Sequence, residues 1–309
     1  MNQVRTSRAI FLVAVFALAS MPALPAELTH AKQRTSATQF TIRSEILNEE
    51  RVVFVYVPDT YGLEAAKEKR YPVLYLLDGL AYFEVTTGIA HHLGSWNAAV
   101  QRIPDLIVVA IQNTKRPRDM TPSHMAEGPY SSGSGGAAVF RSFIESELMP
   151  AVDKQFRASG ERILVGHSLA GLFVLDTFLE RPNLFVAYIA SDPSLWWDDN
   201  LLARKLLARR GTSPRTPGRL FIAQANTPDS TLGEHDAHKA GITAFRAALE
   251  AAKLPVEHSY RYFEDETHLS VPLQAVYRGL LFAYEGYKAP TPNSESATPN
   301  KSLERTRAR

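Results

Sequence analysis

Residues 162–173 read Arg-Ile-Leu-Val-Gly-His-Ser-Leu-Ala-Gly-Leu-Phe (RILVGHSLAGLF). Residues 162–165 form a short apolar run of the kind a strand shows when both faces of its sheet are covered. From Leu169 the chain continues as LAGLFVLDTFLE, which predicts a helix over 169–179. Between them lies Gly166-His167-Ser168-Leu169-Ala170, a Gly-x-Ser-x-Ala pattern with Gly171 directly after it. Ala170 stands where the commoner pattern has glycine. A serine at such a strand-to-helix turn projects its Oγ above the sheet edge, and small residues two before and two after it let the backbone pass close by. The helix that follows aims its first N–H groups at the same point, so the N–H of Leu169 is a candidate oxyanion donor. Ser168 is therefore the candidate nucleophile. The pattern is short, and its value comes from the strand before it and the helix after it.

Outward from this turn the chain alternates strand and helix. Residues 39–47 and 51–58 predict two amphipathic antiparallel strands joined by a turn at 48–50. Residues 71–77 (YPVLYLL) and 106–111 (LIVVAI) predict buried strands, with a helix over 83–99 between them. A Gly-, Pro- and Ser-rich loop over 113–136 precedes a helix over 137–156. After the serine turn, strands are expected over 186–190, 219–225 and 257–263, and helices over 201–210, 238–253 and 271–287. Two hairpin strands followed by repeated strand–helix units imply a mostly parallel central sheet with helices on both faces. The basic stretch 204–219 is a candidate surface excursion or lid.

A serine hydroxyl needs a base. His268 lies in the acidic loop FEDETHLSVP (263–272), after the last strand and before the last helix. That is where a base histidine belongs when it comes last in chain order. A carboxylate is needed for the other ring nitrogen. The loop after the strand RLFIAQAN offers Asp229 first, then Glu234, with Asp236 as a third candidate. The turn after YPVLYLL is Asp78-Gly79-Leu80-Ala81, so the N–H of Gly79 or Leu80 is a candidate second oxyanion donor.

The 309 residues carry 34 basic and 32 acidic side chains, a net charge of +2. This balance offers no general attraction to nucleic acid or to an anionic membrane. The basic cluster 204–219 lacks interleaved aromatics and reads as a solvated face. Arg5 and Arg8 precede an apolar run over 9–19 and a Pro/Ala-rich stretch over 21–26. This reads as a cleaved signal peptide over 1–26, too short to span a bilayer comfortably. It implies a periplasmic or secreted protein with no stable membrane insertion after cleavage. With no cysteine, neither a lipid-anchored cysteine nor a disulfide is available. Residues 27–37 read as a flexible N-terminal segment, 38–287 as one domain and 288–309 as a disordered tail.

The chain resembles the α/β-hydrolases of the enterochelin (siderophore) esterase and esterase-D type. The resemblance runs from about residue 38 to 287. Its carriers are YPVLYLLDG (71–79), VVAIQNTKRPRDMTP (108–122), LMPAVDKQFR (148–157), RILVGHSLAGLF (162–173), DPSLWWDD (192–199) and FEDETHLSVP (263–272). It implies an α/β-hydrolase fold, Ser168 and His268 as nucleophile and base, and Asp78-Gly79 as the oxyanion turn. It also implies that Arg116, Arg118, Trp196 and Trp197 lie near the substrate pocket, where an arginine would hold an anionic group and a tryptophan would wall an aryl group. A loop salt bridge and core packing are the competing readings of these four. Several relatives carry a glutamate directly after the asparagine that ends the strand before the acid; here that position is Thr227.

The resemblance thus implies a serine esterase that cleaves a small-molecule ester through an acyl-enzyme, a siderophore trilactone or aryl ester among the candidates. The alternative is a catalytically silent α/β-hydrolase used as a binding protein. No cofactor is expected. Glu234-His235-Asp236-Ala237-His238 has metal-like composition but no evident third ligand group, so no metal is expected there. SSGSGG (131–136) lacks the lysine and spacing of a phosphate loop.

Overall fold

The structure, a computed structural model, describes residues 37–94, 101–209, 218–226 and 235–289. Among the described residues, eight strands form one sheet in the order β1-β2-β4-β3-β5-β6-β7-β8. They are β1 (Ala37–Ser44), β2 (Glu49–Tyr56), β3 (Tyr71–Leu76), β4 (Ile107–Ile111), β5 (Ala158–His167), β6 (Ala187–Ser191), β7 (Arg219–Ala225) and β8 (Glu257–Phe263). β2 runs antiparallel to both β1 and β4, and all other pairs are parallel. The expected hairpin and mostly parallel sheet are both present. The β1–β2 turn closes at Asn48, at φ 50°, a left-handed conformation that asparagine tolerates.

All six residues of β3 are buried, because helices cover both faces of the sheet. Tyr71, Val73 and Tyr75 point into one core layer and Leu74 and Leu76 into the other, the two-residue alternation of a strand. The helices are α1 (Gly79–Leu93), α2 (Arg116–Met120), α3 (Ala137–Phe143), α4 (Met149–Gln155), α5 (Leu169–Glu180), α6 (Trp197–Ala208), α7 (His235–Ala252) and α8 (Val271–Ala283). Phe83 and Leu93 of α1 join Val271, Ala275 and Leu280 of α8 on one face. Phe140, Phe173, Leu206 and Phe245, from α3, α5, α6 and α7, fill the other.

Several elements depart from expectation, among them α2, a short helix inside the loop expected over 113–136. The helix expected over 137–156 is two helices joined by a π-helical turn, Ile144–Leu148. Pro150 follows that turn and has no N–H to donate, so the regular ladder cannot run through it. α1 starts four residues early, at Gly79, because Asp78 (φ 54°) turns the chain directly into the helix. β5 runs longer than 162–165, since its end pairs His167 with Ser191 of β6. The segments 1–36, 95–100, 210–217, 227–234 and 290–309 lie outside the described residues, and with them the signal-peptide reading, nearly all of the tail and half of the proposed lid.

Candidate active site

β5 delivers Ser168 to the C-terminal edge of the sheet. The residue holds φ 62°, ψ −120°, a strained conformation for a non-glycine residue of the kind that collects at functional sites. Its neighbours over-determine it. The Ser168 N–H donates to Ser191 O (3.0 Å), and Ser168 O accepts from the N–H groups of Leu172 (3.0 Å) and Ser194 (3.1 Å). Gly166 is required here, because a Cβ at that position would lie 2.5 Å from the Ala170 carbonyl oxygen. The Ala170 methyl sits 3.0 Å from the same point, so residue 170 must be small but need not be glycine. The side chain of Ser194 reaches the serine itself, with the two Oγ atoms 3.3 Å apart.

His268 lies in the β8–α8 loop. Its ring packs against that of His167, the residue before Ser168, at 4.4 Å between centroids and tilted by 44°. Nδ1 of His268 is 2.6 Å from Oδ2 of Asp192. Asp192 is fully buried, at φ 41°, directly after β6. It is fixed by its own N–H to Ala223 O (2.8 Å) and by the Ala225 N–H donating to its Oδ1 (3.0 Å). Burial alone would raise the pKa of this carboxyl. Contacts from His238, His268 and the Ala225 N–H outweigh it and hold the group well below the usual carboxylate range. An ionised Asp192 keeps the His268 proton on Nδ1 and leaves Nε2 with its lone pair, the tautomer a general base needs. Burial, with the charge of His268 adding to it, lowers the pKa of His167 to about 3, so its ring stays neutral.

A second histidine meets the same carboxylate. Nε2 of His238, on α7, lies 3.2 Å from Asp192 Oδ2, yet it is off the direction of a hydrogen bond and has no hydrogen-bond partner among the described residues. Its ring meets that of His268 edge-on at 5.3 Å.

Among the described residues, the carboxylate facing His268 is that of Asp192, directly after β6. Asp229 and Glu234 lie outside the described residues, and Asp236 is exposed in the first turn of α7. Asp192 stood in the sequence as the first residue of DPSLWWDD. Its signal was an acidic residue directly after the strand that neighbours the serine strand.

The expected oxyanion donors meet at one sheet edge. β3 and β5 are hydrogen-bonded neighbours, and the Leu77 N–H donates to Val165 O (2.9 Å). Leu169 is the first residue of α5, and Gly79 and Leu80 are the first two of α1, so none of their N–H groups has an intrahelical acceptor. A Cβ on Gly79 would lie 2.8 Å from the Ala110 carbonyl carbon, which is why glycine occupies this turn.

Arg116 does not present a free guanidinium. Its Nε and Nη2 donate to the two oxygens of Asp78 (2.7 and 2.8 Å), and Nη2 also reaches His167 O (3.1 Å). The Asn113 amide donates to Asp78 Oδ1 (2.6 Å). Arg116 therefore ties the Gly79 turn to the serine turn. Arg118 is committed as the competing salt-bridge reading has it. It holds Glu49 with both terminal nitrogens (3.1 and 2.7 Å) and Asp119 through Nε (2.7 Å). Trp197 is fully buried, with Nε1 donating to Ser123 Oγ (3.0 Å); it is a core residue and not a pocket wall. Trp196 is half-buried and packs on Tyr130 and Trp197.

A family model described as "Putative esterase" matches residues 44–268. Ferri-bacillibactin esterase BesA from Bacillus subtilis (strain 168) is 33% identical over 261 residues, covering 76% of this chain and 86% of the relative. The siderophore triacetylfusarinine C esterase of Aspergillus fumigatus is 30% identical over 246 residues, 70% of this chain and 82% of the relative. An IroE-like serine hydrolase from Shewanella oneidensis superposes with a TM-score of 0.74 at 33% identity, over 82% of each chain.

Proposed function

Because this chain belongs to the esterase family whose model it matches, we propose that Ser168, His268 and Asp192 form its acyl-transfer machinery, acting on a siderophore-type carboxylic ester. The observation that carries the reading is the 2.6 Å contact between His268 Nδ1 and Asp192 Oδ2 beside the strained Ser168 turn. In the first half-reaction His268 Nε2 takes the Ser168 proton as Oγ attacks the ester carbonyl. The N–H groups of Leu169 and of Gly79 or Leu80 receive the developing oxyanion. The proton on Nε2 passes to the departing alkoxide, and an ester-linked acyl-serine remains. Water repeats the sequence and frees the acid. Each step is written with side chains, backbone N–H groups and water alone.

The names of the two curated relatives support a siderophore ester, and a trilactone or an aryl ester fits the surroundings. Leu80 and Leu269 each follow a site residue in the chain and are 72% and 78% exposed. They offer apolar surface beside the reacting bond, and Trp196 is the remaining aromatic candidate for an aryl wall. The reading includes export. Residues 1–26 would be removed as a signal peptide, leaving a periplasmic or secreted enzyme; among the described residues no helix is long and apolar enough to cross a membrane.

The test is active-site labelling with a fluorophosphonate, followed by hydrolysis of a substrate panel. The panel holds a ferric catecholate trilactone, a feruloyl ester and short aryl esters. Labelling of wild type and none of Ser168→Ala is expected. Equal labelling of the two proteins would overturn the nucleophile. Hydrolysis of short aryl esters alone would overturn the siderophore assignment.

A further inference from the structure

The Asp192 carboxylate faces two histidines, and the serine reaction uses only one. Asp192, His238 and His268 each offer one ligand atom within 4.8 Å of the other two, and Asp192 Oδ2 lies 2.6 Å from His268 Nδ1 and 3.2 Å from His238 Nε2. They come from three separate segments: the end of β6, the β8–α8 loop and the first turn of α7. Asp192 is buried, while the side chains of His238 and His268 are 14% and 30% exposed, so both rings keep some access to solvent. His238 Nε2 is buried without a hydrogen-bond partner among the described residues, although it lies 3.2 Å from a carboxylate oxygen, off the line of a hydrogen bond to it. A ring nitrogen left in that position suits metal ligation better than it suits the hydrogen bond it fails to make.

We propose that Asp192, His238 and His268 form a binding site for a divalent transition-metal ion of the zinc type, and that occupancy switches the serine chemistry off. Two imidazoles and one carboxylate, with water in the fourth position, are a donor set that Zn²⁺ accepts. Tetrahedral coordination at about 2.0–2.1 Å places donors roughly 3.3 Å apart. The Asp192–His238 separation of 3.2 Å already matches this, and the 2.6 Å Asp192–His268 hydrogen bond has to open by less than an ångström.

Inhibition follows from proton placement, and this part rests on the proposed function. A metal on Nδ1 of His268 takes the lone pair that forms once the Nδ1 proton leaves. The neutral ring then carries its proton on Nε2, the atom that has to accept the Ser168 proton. The same ion occupies Asp192 Oδ2. Base and acid are therefore withdrawn together, with no change at Ser168 itself.

The experiment titrates purified protein with Co²⁺ while recording visible ligand-field bands, and displaces it with Zn²⁺. One equivalent with tetrahedral-type bands is expected for wild type and also for Ser168→Ala, which keeps all three ligands. His238→Ala should lose affinity by more than the roughly 10- to 100-fold that removal of an outer-shell partner costs. Zn²⁺ should inhibit ester hydrolysis by wild type at the concentrations at which it displaces Co²⁺, and inhibit His238→Ala far less relative to that variant's own activity. Absence of bands in wild type, or equal affinity in His238→Ala with an unchanged circular dichroism spectrum, would overturn the site. Because Co²⁺ binding is read without turnover, failure of the metal site and failure of the esterase reading are separable.

Discussion

Asp192 and His268 are 76 positions apart in the chain, and their side chains meet at 2.6 Å. The contact is built from the sheet. Asp192 caps the end of β6, and its backbone N–H and Oδ1 are both tied to β7. Asp192→Asn keeps the shape but offers an amide that can donate to Nδ1 and so favour the wrong tautomer. We expect kcat to fall by about 10⁴ at most with KM little changed. Asp236→Ala should remain near wild type. Steady-state ester hydrolysis by both variants, alongside melting curves, checks the assignment; a large loss in the Asp236 variant with a mild one in Asp192→Asn would reverse it.

Arg116 separates two roles cleanly. If its fork holds Asp78 and the His167 carbonyl together, Arg116→Lys loses the bidentate geometry and loosens the Gly79 turn. The loss should appear in kcat, by about 10- to 100-fold, because a misplaced oxyanion donor costs the transition state and not ground-state binding. A rise in KM for anionic substrates alone, with kcat intact, would return Arg116 to substrate binding.

Gly79→Ala places a methyl 2.8–2.9 Å from the Ala110–Ile111 peptide. Either α1 or β4 has to move. We expect a loss of roughly 1–3 kcal/mol in unfolding free energy from overpacking. The drop in kcat should approach the roughly 10²–10³ that loss of one oxyanion donor costs. Denaturant titration and kinetics on the same sample test both numbers.

The Glu49–Arg118 pair gives an acid-sensitive contribution that involves none of the reacting groups. Hydrogen bonds from Arg118 outweigh burial and, with Thr114 and the charge of Arg51, lower the Glu49 pKa from 4.5 to about 2. A lowered carboxyl contributes stability that is fully present above about pH 4.5 and lost as pH falls through 2. Glu49→Gln should therefore flatten the acid limb of the stability–pH profile in that window. The pair is partly exposed, so the effect at pH 7 should be about 1 kcal/mol or less. Arg118→Ala should show a similar small melting shift with no change in KM.

The framework was legible because it rests on local patterns. Continuous apolar runs such as YPVLYL mark strands covered on both faces, and the small residues around Ser168 mark a turn that larger side chains would block. His268 was legible from its place after β8. Asp192 was not, because chain order directed attention to the loop after β7, whereas pairing of His167 with Ser191 carries the next residue of β6 to the serine edge. That relation depends on which strands are neighbours, which no local window contains. The roles of Arg116, Arg118 and Trp197 needed partners too. Each residue type suits a pocket, and only the positions of Asp78, Glu49 and Ser123 show that these side chains are already engaged.

The π-helical turn at Ile144–Leu148 does more than absorb Pro150. Glu147 within it accepts from the Ser44 hydroxyl at 2.5 Å and from the N–H groups of Glu45 and Ile46, both at 3.0 Å. Glu147 in that turn thus works as a clasp on the outermost hairpin. The edge of the sheet is fastened to its helical cover at the connection between β1 and β2, where fraying of an end strand would otherwise begin. A deletion that restored a regular helix there would be felt first as peeling of β1 and only afterwards as any loss of chemistry.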